Sequence, residues 1–307
     1  MAASDAPYPP LRFERGVARV RAAALLGENA RMAWHARLSL DYAVEAFRTV
    51  ARFEHDGPLR ILQALYPEGD AVCHNVLVHP PSGLVGGDTL DISVRVRPGA
   101  HGLVTTPGAT RFYRSDGEAA VQRTRIVQDE GSRLEWLPLE AICYSGCVAQ
   151  NHLTFELAPG AQMIGWDVAA LGLPESDLPF ERGSLLQHLE MPGEWLERGR
   201  IDALDTRLTT GPLGLAGHRC IATLFLATGD EMSRVRREQA LELAREAIAA
   251  HGLPGIAGAT APGPRVVVVR VLAPLVEPAL HLLKAIRSSW RTGMWDLPAT
   301  QPRTWAL

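Results

Sequence analysis

Lysine is almost missing from this chain. Of its 31 basic residues only Lys284 is a lysine. A P-loop places a lysine on the terminal phosphates, and Lys284 lies in no glycine-rich loop, so no P-loop is present. Cysteine is scarce as well: Cys73, Cys143, Cys147 and Cys220 are too few to staple 307 residues by disulfides. Cys143 and Cys147 have no second pair at the spacing a structural zinc site uses, so buried thiols are the expectation. The sequence has no H-E-x-x-H and no G-x-S-x-G, which removes the zincin helix and the nucleophile elbow. A formal net charge of -3 gives no electrostatic case for nucleic acid. No apolar run is long enough for a membrane-spanning helix; the purest, Val266 to Val269, reads as a strand core. The opening residues, MAASDAPYPPLRFERG, lack the apolar segment of a signal peptide. A soluble, cytoplasmic protein with reduced thiols is expected.

What is present is mostly strand. The stretch HPPSGLVGGDTL, His79 to Leu90, carries Gly83, Gly86 and Gly87 ahead of Asp88. Its glycine spacing is not that of a dinucleotide fingerprint. The residues that follow alternate at Ile92, Val94 and Val96, so the glycines join strand to strand as a tight turn or bulge. Three turn-then-strand segments recur about thirty residues apart: PGAHGLVTTPGA from Pro98, EGSRLEWLPLEA from Glu130 and PGAQMIGWDVAA from Pro159. Stacking such units would bury a shared face, as in a solenoid.

The last third changes character. SRVRREQALELAREAIAAHG reads as a helix with Ser233 as N-cap and Gly252 as its stop. HGLPGIAGATAPGP reads as a flexible loop and PRVVVVRVLA as a strand. A second helix is expected from about Leu275 to Trp290, with Pro278 in its first turn. The expectation is therefore a mainly β protein, a layered or helical stack of strands with two C-terminal helices packed on it. Residues 1–15 form a loose tail, and residues 16–307 form one domain ending in a β-α-β-α part.

Candidate chemistry stays open on residues alone. Glu135 and Glu140, with Asp167 and Asp177 downstream, could be paired carboxylates of a glycosidase-like hydrolase. They could equally line a polar channel or pair with Arg111 and Arg114. His74 and His79 flank an apolar VLV, where a transient metal contact and a merely hydrogen-bonded imidazole are both admissible. Trp290, Trp295 and Trp305 form a dense aromatic set near the C-terminus, fit either for partner docking or for clamping the last helix.

Four segments in series, SGLVGGDTL, TTPGATRFYRS, LEWLPLEAI and RSSWRTGMWDLPATQPRTW, resemble the urease accessory protein UreD family, called UreH in some organisms. The resemblance runs from about Arg37 to Trp305. It implies a helical stack of strands with two flanking helices and a maturation factor rather than an enzyme. It implies partners in the accessory protein UreF, the GTPase UreG and the urease apoprotein, and transient nickel(II) carried through a water-filled internal passage. No cofactor is expected to bind tightly, and the isolated chain should bind nickel weakly. Asp88, Glu135, Glu140 and Asp167 are the acids assigned to that passage; as repeat equivalents, Glu140 and Asp167 would line up in a file. By this resemblance the glycine corner serves the body of the passage. The chain departs from the family at Arg111, where lysine is usual, at Leu173 and Leu178, where an arginine and a glutamate are usual, and at Asp167, where glutamate is common.

Overall fold

The computed structural model describes residues 33–306. The loose tail expected over residues 1–15, and the chain on to residue 32, lie outside the described residues. The described chain opens with β1 (His35–Glu45), β2 (Arg48–Asp56), β3 (Arg60–Ile61), β4 (Val72–Val78), β5 (Thr89–Val96) and β6 (His101–Thr105); apolar and polar side chains alternate along β1 and β5, and β4 and β6 are buried nearly throughout. β7 (Thr110–Phe112), β8 (Ala120–Gln128), β9 (Arg133–Leu137), β10 (Ala141–Cys143), β11 (Cys147–Leu157) and β12 (Gln162–Leu173) follow. Then come β13 (Leu178–Pro179), β14 (Gly183–Met191), β15 (Trp195–Asp202), the short α1 (Thr206–Thr209) and β16 (Cys220–Thr228). α2 (Arg234–His251), β17 (Ile256–Thr260), β18 (Val266–Ala273) and α3 (Val276–Trp295) complete the chain.

The strands wind into coils. β5–β6–β7, β8–β9–β10 and β11–β12 are successive turns of one helical path, and each turn adds a parallel strand to two facing sheets. The first sheet runs β15-β14-β11-β8-β5-β1-β2, the second β17-β18-β16-β12-β9-β6-β4-β3. β7, β10 and the end of β12 form a short third ladder. The thirty-residue repeat is this coil. Its corners stack: Gly99 N–H donates to the Glu130 carbonyl at 3.2 Å, and Gly131 N–H to the Pro159 carbonyl at 3.1 Å. Gly99, Gly131 and Gly160 all sit at left-handed φ, where a side chain would be strained.

Two apolar cores result. One fills the space between the sheets, with Leu40, Phe112, Phe155 and Phe225. The other lies between the second sheet and the helices, with Trp166, Ile286 and Trp290. α2 keeps its expected ends: the Ser233 hydroxyl caps Arg236 N–H at 3.2 Å, and Gly252 takes φ 61°. Two expectations are corrected. The loop read into HGLPGIAGATAPGP contains an edge strand, β17, recruited by backbone pairing with β18. α3 extends to Trp295, because Asp296 in the left-handed region, rather than Trp290, ends it. Among the described residues no helix is long and apolar enough to cross a membrane.

Candidate functional site

Side-chain parity splits the buried polar groups into two sets on opposite faces of the second sheet. Toward the helices, Glu135 on β9 is wholly buried between two arginines of α3. Arg287 Nε donates to its Oε2 at 2.6 Å, and Arg291 donates to its Oε1. Arg291 also donates to Glu68, whose other oxygen meets His74 Nε2 at 2.7 Å. His101 Nε2 stands 3.5 Å from Glu135, long for a hydrogen bond. Burial would raise the Glu135 carboxyl, but the charge of Arg287, with His101 and Arg291, outweighs it and holds the group far below the usual carboxylate range. The two arginines also donate to the carbonyls of Thr300 and Pro298, at 2.7 and 2.8 Å, which straps the C-terminal segment across the helix. A carboxylate held this way is a lock, with no freedom to act as an acid or a nucleophile.

Between the sheets lies the second set. Asp167, on the other face of the β-layer, reaches across to the first sheet. Asn151 Nδ2 donates to its Oδ1 at 2.6 Å, and Gln187 Nε2 donates to its Oδ2. Gln122 Nε2 donates to Asn151 Oδ1 at 3.3 Å. Register explains the row: Gln122 pairs with Asn151 and Asn151 with Gln187, so three amides occupy one rung facing the core. Opposite them, Asp167 pairs with Thr223 and Thr223 with Arg270. Thr223 donates to Glu197 Oε1 at 3.2 Å, and Arg270 Nε to Glu197 Oε2 at 3.0 Å, at the sheet edge. Burial pushes the Asp167 carboxyl up to about 6; the amide hydrogen bonds oppose the rise, and the Glu197 charge adds to it. Asp167, Asn151 and Gln187 retain 6–8% exposure, whereas the flanking Leu185 and Leu189 retain 0–1%, so a water-sized sphere still touches the file.

At the other end, Gln122 lines a cavity of about 180 Å³ with His79, Thr106, Thr110, Leu77 and Trp136.

The four acids assigned to the passage do not share a rung, and Glu140 and Asp167, expected to line up in a file, do not. Glu135 is opposite Ile164 and Ala141 is opposite Ala169, so neither Glu135 nor Glu140 aligns with Asp167. Only Asp167 of the four is hydrogen-bonded across the sheets. Asp88 is spent on the backbone, accepting from Trp34 N–H and Val85 N–H, each at 2.9 Å. Glu140 is half-buried on the helix side, near enough that its charge adds to burial in lifting the Cys220 thiol to about 12. Gly83, Gly86 and Gly87 form a close-packed corner. A Cβ at Gly83 would fall 2.2 Å from the Tyr113 ring, one at Gly86 would fall 2.2 Å from Ser115 Oγ, and Gly87 takes φ 92°. The tryptophans face inward. Trp290 and Trp295 are buried, and half-buried Trp305 stacks on Trp166 with centroids 5.3 Å apart. Burial against the chain's own core makes them clamps in this structure and leaves Trp290 and Trp295 no free surface for docking. All four cysteines are free and buried. Leu178, at one family departure, is exposed. Among the described residues, no three His, Cys, Asp or Glu side chains are grouped to hold a metal ion.

A family profile described as UreD urease accessory protein matches residues 35–306. The chain belongs to the UreD family. A protein of Variovorax paradoxus named urease accessory protein UreD is 66% identical over 275 residues, covering 90% of this chain and all of that protein. UreD proteins of a Polaromonas species and of Leptothrix cholodnii are 62% and 55% identical, over 90% and 89% of this chain and 100% and 99% of their own lengths. Membership makes the chain a urease accessory protein, and it covers both polar sets. Sequence reasoning missed Gln122, Asn151, Gln187 and Glu197. For two of the amides the signal was there: Asn151 and Gln187 sit at core parity between apolar neighbours, as in Ala149-x-Asn151-x-Leu153 and Leu185-x-Gln187-x-Leu189.

Proposed function

We propose that the chain serves urease maturation as a non-catalytic conduit, in a complex with UreF, UreG and the urease apoprotein, and that nickel(II) crosses it between the two sheets. The observation that carries this reading is Asp167: a buried carboxylate held by amides of the opposite sheet, within a polar row that leads from the His79 cavity to Glu197 at the edge. Nickel(II) takes carboxylate and carbonyl oxygen with water as ligands, and single carboxylates hold it weakly enough to release it. The amide rung orients Asp167 and offers carbonyl oxygens on either side. The hydrolase alternative based on Glu135 and Glu140 finds no support, since Glu135 is locked by Arg287 and Arg291.

The test is urease activity per assembled complex. Asp167→Ala should lower activation partially, because water takes the place of the lost carboxylate, while the complex still assembles. Activation at the unaltered rate would contradict the conduit through Asp167.

A further inference from the structure

The cavity at the head of the amide row is lined by one imidazole, that of His79. His79 follows β4 directly. Its carbonyl accepts from Ser82 N–H at 2.8 Å, and Pro80 and Pro81 stiffen the turn between them. His79 lines the cavity; its Nδ1 is closed off from solvent, whereas its Nε2, with no hydrogen-bond partner among the described residues, is not, and Nε2 is the nitrogen an ion could reach. Burial also lowers the imidazole pKa, against the opposing charge of Asp88, so the ring is neutral at neutral pH. A neutral imidazole has a free lone pair, and imidazole is a good donor to late first-row divalent ions.

The surroundings fit an ion that pauses and leaves. The roughly 180 Å³ space holds an ion together with several waters. Apart from His79, the polar lining comes from hydroxyls and the Gln122 amide, and no carboxylate or thiol closes a cage. Thr106 already donates to the Gly108 carbonyl and accepts from Leu139 N–H, each at 2.9 Å, so it keeps one lone pair for the cavity. Gln122 belongs both to this cavity and to the row that ends on Asp167.

We propose that the His79 cavity is a staging site for a partly hydrated nickel(II) ion, with the His79 imidazole as its one nitrogen ligand, at the mouth of the Gln122–Asn151–Asp167 row. This rests on the conduit reading and adds a residue and a position to it. The site trades a nitrogen ligand for oxygen ligands along the row, so no single position binds tightly.

The experiment titrates nickel(II) alone into the full chain and reads the side-chain amide signals of Gln122 by NMR, which the paramagnetic ion broadens locally. Wild-type protein should show broadening at low occupancy. His79→Ala should need at least ~10-fold more nickel for the same broadening, since loss even of an outer-shell partner costs 10–100-fold in affinity. His79→Phe provides the same test with the cavity filled, should the alanine variant fold poorly. Equal broadening in wild type and in a folded His79 variant overturns the staging site. Delivery to urease separates the two readings. Slow delivery by both His79→Ala and Asp167→Asn supports both. Slow delivery by Asp167→Asn alone overturns the staging site, and normal delivery by both overturns the conduit itself.

Discussion

Asp167 and Glu135 are both buried acids from adjacent coils of the stack, and their surroundings send them in opposite directions. Glu135 gains two guanidinium partners and stays charged. Asp167 gains only neutral amides, and its carboxyl rises from 3.8 to about 6. An acid whose folded pKa is raised binds more protons folded than unfolded. Its cost is absent below about pH 4 and grows as pH rises from there to about 6. Asp167→Asn should therefore gain on wild type in thermal melts as pH rises from 4.5 to 7.5, by ~2 kcal/mol, the rest of the cost falling below pH 4.5. A melting difference that does not change over that range would contradict the raised carboxyl. Glu135→Gln should do the reverse. It strands two buried arginines and should cost about 3–5 kcal/mol, seen as a much lower melting temperature or insoluble protein. Neither fate was legible in the sequence. LEWLPLE and GWDVAA each show an acid in an apolar strand, but which face it takes depends on strand parity fixed by distant turns.

Strands and helices were easier to read. Turn-glycines at thirty-residue intervals announced the coil because each coil must reverse at the same corner, and the register of β5, β8, β11 and β14 follows from it. The ends of α2 were legible because Ser233 and Gly252 act locally. β17 was not, since its five residues, Ile256–Thr260, become a strand only by pairing with β18. The C-terminal strap was also hidden, because it is fastened by carbonyls, which every residue has. Its role can be tested by ending the chain after Asp296. Arg287 and Arg291 would lose the Thr300 and Pro298 carbonyls, and Trp166 would lose its stacking partner Trp305. Each stranded charged donor costs about 1–3 kcal/mol, so the truncated protein should melt several degrees lower. An unchanged melt together with lost partner binding would make the tail a docking element instead.

In the molecule as a whole, two sheets and a helical layer frame a polar row that crosses from one sheet to the other among the described residues. Gln122, Asn151, Asp167 and Gln187 hold a charged, water-accessible row there, which packing alone does not require. The decisive variant replaces Asn151, Asp167 and Gln187 together with leucine. Removing the donors and the acceptor together leaves only the Gln122 amide without its partner, and that side chain is half-buried and lines the cavity, so the fold should be kept. The measurement is nickel bound per urease active site after maturation by the assembled complex, with a melt and a pull-down as controls. The expected result is a complex that assembles normally and leaves urease largely without nickel. Urease loaded to the wild-type level by the triple-leucine protein would show that the ion does not travel between the sheets.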